Sequence, residues 1–180
     1  IYCISNLLSK INKNILIVLD PVMVAKGGHK LLDIDAEEIL IKELMPLCSI
    51  ITPNLPEAEV ITGKKINNIE DLEITGQEII KMGIDNVLMK GGHLKGNKLT
   101  DILISKYKVD YFYSSKIQTN NSHGTGCTLS SAIACGMGQN MSLYSSVDRA
   151  HAFVNKSIKH APNIGKGNGP LNHLINNIKN

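Results

Sequence analysis

The chain has 180 residues, 43% hydrophobic and 19% charged, which is enough apolar material for a buried core and too little charge for a disordered chain. Its 19 Lys and Arg against 16 Asp and Glu leave a formal charge of +3 with no block of like sign, and aromatics are 4% with no Trp, so basic arms and base-stacking platforms for nucleic acid are not expected. No run approaches the ~20 apolar residues of a membrane span, no signal-peptide pattern opens the chain, and its four cysteines lack CxxC or zinc-ligand spacing, so the expected setting is reduced and cytoplasmic.

Residues 1–14, IYCISNLLSKINKN, carry apolar side chains at helical spacing, and a start at Ile1 instead of Met leads to the expectation that an upstream portion is missing. ILIVLD, residues 15–20, is a β-branched run that predicts a buried parallel strand delivering Asp20 at its carboxyl end, before Pro21. Residues 35–45, DAEEILIKELM, predict a helix with acids in its first turn, closed by Pro46. SIITPN, residues 49–54, predicts a second strand, and LPEAEVITG a helix with Pro56 near its start, Glu57 in its first turn and Gly63 as its stop.

Residues 69–83 predict an amphipathic helix ending at Gly83, and NVLMKGGH, residues 86–93, a strand followed by a Gly-rich turn. TDILIS and KVDYFYS, residues 100–105 and 108–114, alternate as an antiparallel pair at a sheet edge. From Ser122 a Gly-containing turn opens a small-residue helix, a second helix covers about 142–159, and PNIGKGNGPLNH is loop-like. With no repeat and no linker in view, we expect one α/β domain over residues 1–180: a mainly parallel sheet flanked by helices, with ligands gathering at the strands' carboxyl ends.

His123-Gly124-Thr125-Gly126-Cys127-Thr128 is the strongest local feature, because two glycines permit close backbone approach and the helix behind them presents free N–H groups and a positive dipole end. Such a turn suits a transferring phosphoryl group, and it equally suits ordinary packing and capping. The helix N-terminus favours a thiolate and would make Cys127 a usable base, whereas a small residue packed beneath a helix is the plain alternative, assumed for Cys135. Asn54 and Glu57 stand three apart at a strand's end, a spacing suited to holding Mg²⁺ through water or, for Glu57 alone, to complementing a helix dipole. Asp20 is either a further carboxylate of that metal shell or the structural acid before Pro21, and Lys90 either neutralises polyphosphate charge or is simply solvated. Neither a Walker A sequence nor the protein-kinase signature set is present.

Taken together, DPVMVAKGG, ITPNLPEAEVITG, VLMKGGH, HGTGCTLSSAIA and HAPNIGKGNGP, in this order between about Ile15 and His173, resemble the signature blocks of the hydroxymethylpyrimidine and hydroxymethylpyrimidine phosphate kinases. The resemblance implies a ribokinase-like three-layer α/β/α fold, a role in thiamine biosynthesis, ATP and Mg²⁺ as cofactors, small-molecule substrates and a homodimer. It assigns Cys127 as base and the amides of Gly124, Thr125, Gly126 and Cys127 as the phosphate cradle, shaped by His123. It makes Asn54 and Glu57 the NxxE motif that organises Mg²⁺, lets Asp20 support the metal, brings Lys90 to the nucleotide phosphates, and puts Val22 and Cys127 against the pyrimidine substrate. Two departures stand out: nothing matches the family's N-terminal segment, and Asn168 occupies a position where the family commonly has His. The rivals are a pyridoxal kinase of the same superfamily and an inactive nucleotide-binding fragment.

Overall fold

The β-branched runs of the first half become three short parallel strands, β1 (Val18–Leu19), β2 (Ile50–Ile51) and β3 (Asn86–Met89), adjacent in that order. The longer β4 (Lys98–Ser105) and β5 (Val109–Ser115) extend the sheet as an antiparallel pair, as their alternation predicts. The computed structural model describes residues 1–11, 15–24, 29–94, 96 and 98–175. Positions 25–28 of the DPVMVAKGG block and 12–14 of the first helical pattern therefore lie outside the described residues. The chain divides into two compact units, Ile1–Ser115 and Lys116–Asn180.

In the first unit the helices are α1 (Tyr2–Leu8), α2 (Ile34–Ile39), α3 (Leu55–Thr62) and α4 (Ile69–Lys81). Helix α4 shows how the pattern works: Asn68 caps it by accepting the N–H of Asp71 at 2.7 Å, and Leu72, Thr75, Gly76 and Ile79 form the buried face against β3 and β4. Leu72 and Ile79 join Met23, Met45, Ile51, Met89 and Ile102 in one apolar cluster, each fully buried side chain stabilising the unit by about 2 kcal/mol.

Three expectations change. The strand over 15–20 shrinks to Val18–Leu19 and is half-buried; pairing begins only at Ile17, whose carbonyl accepts the N–H of Ser49 at 2.8 Å, while Ile15 and Leu16 are exposed. Pro46 does not close a straight helix. The α2 geometry gives way to a π turn over Leu40–Leu44 and a 3₁₀ turn over Met45–Leu47 that contains Pro46. Proline lacks the N–H that would bond the Lys42 carbonyl and its ring crowds that oxygen, so the last turns leave α geometry before the chain stops. Cys135, assumed to be packed away, is exposed, as are Cys3 and Cys127.

Cys48 is the buried thiol; its Sγ donates to the Leu44 carbonyl at 3.3 Å, and burial pushes it up to about 11 from an ordinary 9.0. Unfolded chains thus ionise first as pH climbs, so stability falls across that interval, and a Cys48→Ala variant lacks this part of the slope in thermal melts. Peptide mapping after iodoacetamide treatment is expected to find Cys3, Cys127 and Cys135 alkylated in the native protein and Cys48 only after denaturation.

The second unit is built on α5 (Thr125–Gly138) and α6 (Leu143–Lys159), which pack on each other through Leu129, Ile133 and Met137 on one side and Val147, Ala150 and Val154 on the other. Gly136 permits the close approach, since a Cβ there would lie 2.8 Å from the Cβ of Ser146. The Gly-rich tail returns to the start of α5: the N–H of His123 donates to Gly169 and that of Gly169 to Asn120, both at 3.1 Å. Among the described residues no helix is long and apolar enough to cross a membrane.

Candidate functional site

Because β1, β2 and β3 run parallel as neighbours, the residues leaving their carboxyl ends emerge on one side of the first unit. Asp20 follows β1, Asn54 and α3 follow β2, and Lys90 follows β3, where its N–H donates to the Pro53 carbonyl at 2.9 Å. The Lys90 Nζ donates to Asp20 Oδ1 at 2.8 Å, with side chains 15% and 11% exposed, and the buried Thr52 hydroxyl donates to the same oxygen at 3.1 Å. Two donors on one carboxylate oxygen set its orientation. Val22, two residues past Asp20, is 41% exposed at this end of the sheet.

Asn54 and Glu57 form a capping box. The Asn54 Oδ1 accepts the Glu57 N–H at 3.0 Å, and Glu57 Oε2 accepts the Asn54 N–H at 2.7 Å. Glu57 is 2% exposed, and burial raises its pKa; Lys90 and the N–H groups of Asn54 and Met23 oppose that shift, and Asp20 adds to it. The two carboxylates and the lysine therefore form one coupled set. The acid that reads as a helix-dipole partner is thus a capping residue that also feels the charges of Lys90 and Asp20. Among the described residues no group of three or more His, Cys, Asp or Glu is placed to hold a metal ion.

In the second unit the chain turns into α5 at Gly124, whose φ of +82° lies in the left-handed region. The N–H groups of residues 125–127 have no intrahelical partners and open at the helix end, with the exposed Cys127 thiol on the same first turn. A Cβ at position 124 would meet nothing within 4 Å, so Gly124→Ala is expected to cost only the left-handed strain, about 1 kcal/mol, and Gly124→Asn less, as read by urea unfolding. His123 is exposed beside this turn, its backbone bridged to Pro170.

Behind the turn α5 and α6 border a cavity of about 900 Å³, lined by Cys127, Ser131 and Cys135 along one helix and by Arg149, Phe153 and Lys156 along the other, with Gly124 and His173 at its margin. Ser131, Arg149, Phe153 and Lys156 are absent from the sequence-level candidates. Arg149, Phe153 and Lys156 follow helical spacing along α6 and Ser131 stands on α5, but nothing in either pattern distinguishes a cavity wall from a solvated face.

Residues 1–172 match the family model described as phosphomethylpyrimidine kinase. The chain belongs to the phosphomethylpyrimidine kinase family. It is 43% identical over 160 residues to the hydroxymethylpyrimidine/phosphomethylpyrimidine kinase of Rhizobium meliloti, covering 87% of this chain and 60% of that enzyme. The crystal structure of phosphomethylpyrimidine kinase from Clostridium difficile superposes with a TM-score of 0.75 at 42% identity, over 86% of this chain and 62% of that one. The pyridoxal kinase of Staphylococcus aureus in complex with AMP-PCP gives 0.87 at 31% identity, over 97% and 64%. The fold is thus ribokinase-like α/β, a mostly parallel five-stranded sheet with helices. The chain spans between one third and about three-fifths of the length of the curated relatives it matches.

Proposed function

We propose that this chain transfers the γ-phosphoryl group of ATP to the hydroxymethyl oxygen of 4-amino-5-hydroxymethyl-2-methylpyrimidine, and a second one to the resulting monophosphate, in thiamine biosynthesis. The observation that carries this reading is the left-handed turn at Gly124, which opens three N–H groups without intrahelical partners and the Cys127 thiol at one helix end beside a large cavity. On this reading residues 1–180 act as one catalytic domain.

Cys127 accepts the proton of the attacking hydroxyl, and the amides of Gly124, Thr125, Gly126 and Cys127 stabilise the charge that develops on the transferring group. Lys90 neutralises phosphate charge, and Val22 contacts the pyrimidine. Asp20 and Glu57 suit a hard cation, because both are carboxylates at the same sheet end, and the burial that raises the Glu57 pKa would be offset by added positive charge. Both already receive protein donors, so they would hold Mg²⁺ through its water shell, with Asn54 fixing Glu57. Bound Mg²⁺ would supply neutralisation of the nucleotide's phosphate oxygens.

The pyridoxal kinase likeness, with TM-scores of 0.82 to 0.88 near 30% identity, favours a second reading in which pyridoxal is the acceptor. Incubation with Mg-ATP and, in parallel, the hydroxymethylpyrimidine, its monophosphate and pyridoxal, followed by mass spectrometry, separates the two. Pyrimidine diphosphate supports the first, pyridoxal phosphate alone the second, and no product with any of them sinks both.

A further inference from the structure

We propose that His173 is a positioning residue for this phosphoryl transfer, acting through Thr128 to fix the peptide plane between Gly124 and Thr125; the inference rests on the kinase reading above. Thr128, 9% exposed in the first turns of α5, donates its hydroxyl proton to the Gly124 carbonyl at 2.7 Å. A hydroxyl has one proton, so His173 Nε2, 2.9 Å from the same oxygen, must be the donor in its own contact, which assigns the ring hydrogen to Nε2. The Gly124 carbonyl also accepts the backbone N–H of Thr128 at 2.9 Å, so both of its lone pairs are engaged.

The peptide unit is planar and trans, so its C=O and N–H point in opposite directions. Holding the Gly124 oxygen inward along α5 therefore holds the Thr125 N–H outward, toward the side from which an anion approaches a helix end. Glycine is the residue with the widest backbone freedom, and Gly124 is the hinge on which this plane turns. The His173–Thr128 relay supplies the rigidity that a glycine lacks. The same tail grips the turn a second time, where Gly169 accepts the His123 N–H at 3.1 Å, so His173 ends a segment that holds the turn at two points.

The test uses the full chain with His173→Leu, Thr128→Val, Thr128→Ser and the double variant H173L/T128V, reading amide hydrogen exchange over residues 122–128 and Mg-AMP-PCP affinity by calorimetry. His173→Leu and Thr128→Val are each expected to speed exchange in that segment, to weaken AMP-PCP about tenfold, and to lower kcat while leaving the KM for the pyrimidine unchanged. Thr128→Ser keeps the hydroxyl and should behave like the unsubstituted chain, and the double variant should be no worse than either single one. Unchanged exchange in His173→Leu, Thr128→Ser as impaired as Thr128→Val, or additive losses would overturn the relay. If the unsubstituted chain does not bind AMP-PCP, the kinase reading fails on its own, and exchange over 122–128 still decides whether His173 holds the turn.

Discussion

Replacing Cys127 by Ala is expected to slow phosphorylation of the hydroxymethylpyrimidine at least about a hundredfold, while phosphorylation of its monophosphate falls less than about tenfold. The asymmetry follows from the two nucleophiles. An alcohol must lose its proton as it attacks, and a positioned base contributes to that step. A phosphate monoester, with its second ionisation near about 6, already presents an anionic oxygen at neutral pH. The substitution is well placed to be clean, because Cys127 is exposed on the first turn of α5 and Ala is the best helix former, so thermal stability should move by less than about 0.5 kcal/mol. Separate kcat values for the two substrates check this, and equal losses would remove Cys127 from the role of base.

Much of the site's local architecture is legible in the sequence because it is made of short-range chemistry. Asn54 and Glu57 stand at the spacing of a capping box, Gly63 ends α3 in a left-handed conformation with φ +70°, and the glycine before Thr125 is where α5 begins. What the sequence hides is pairing across distance. Asp20 and Lys90 meet across 70 positions, and Thr128 and His173 across 45. Each contact depends on how strands and tail come into register, which no local pattern specifies. The same holds for exposure: Cys135 and Cys48 both sit among apolar neighbours in the sequence, yet only Cys48 lies under other elements, because the α5 face carrying Cys127 and Cys135 borders a cavity. The short β1 is a further case. Its β-branched run predicts a longer strand, but the chain pairs only where Ile17 reaches the Ser49 end of β2.

Lys90→Met is expected to destabilise the first unit by about 3 kcal/mol, the scale set by breaking a poorly solvated ion pair and stranding one charge. Asp20 would keep only the Thr52 hydroxyl among the donors that now orient its Oδ1, and Glu57, held down in part by Lys90, would be pushed further up. The companion Asp20→Asn should cost less, since a lysine 15% exposed can extend its ammonium to water along its flexible stem, as a short carboxylate cannot. Part of the stability should therefore return in the double variant K90M/D20N, where position 20 no longer carries a stranded charge while Glu57 still lacks Lys90. Nucleotide affinity follows a different rule. If Lys90 also neutralises phosphate charge, Mg-AMP-PCP binding stays weakened about tenfold or more in both Lys90→Met and the double variant, because the cation is missing from each. Urea unfolding and calorimetry on the same four proteins separate the two roles. Affinity that recovers together with stability would confine Lys90 to holding Asp20 in the fold, whereas stability recovering alone ties the ammonium to the nucleotide.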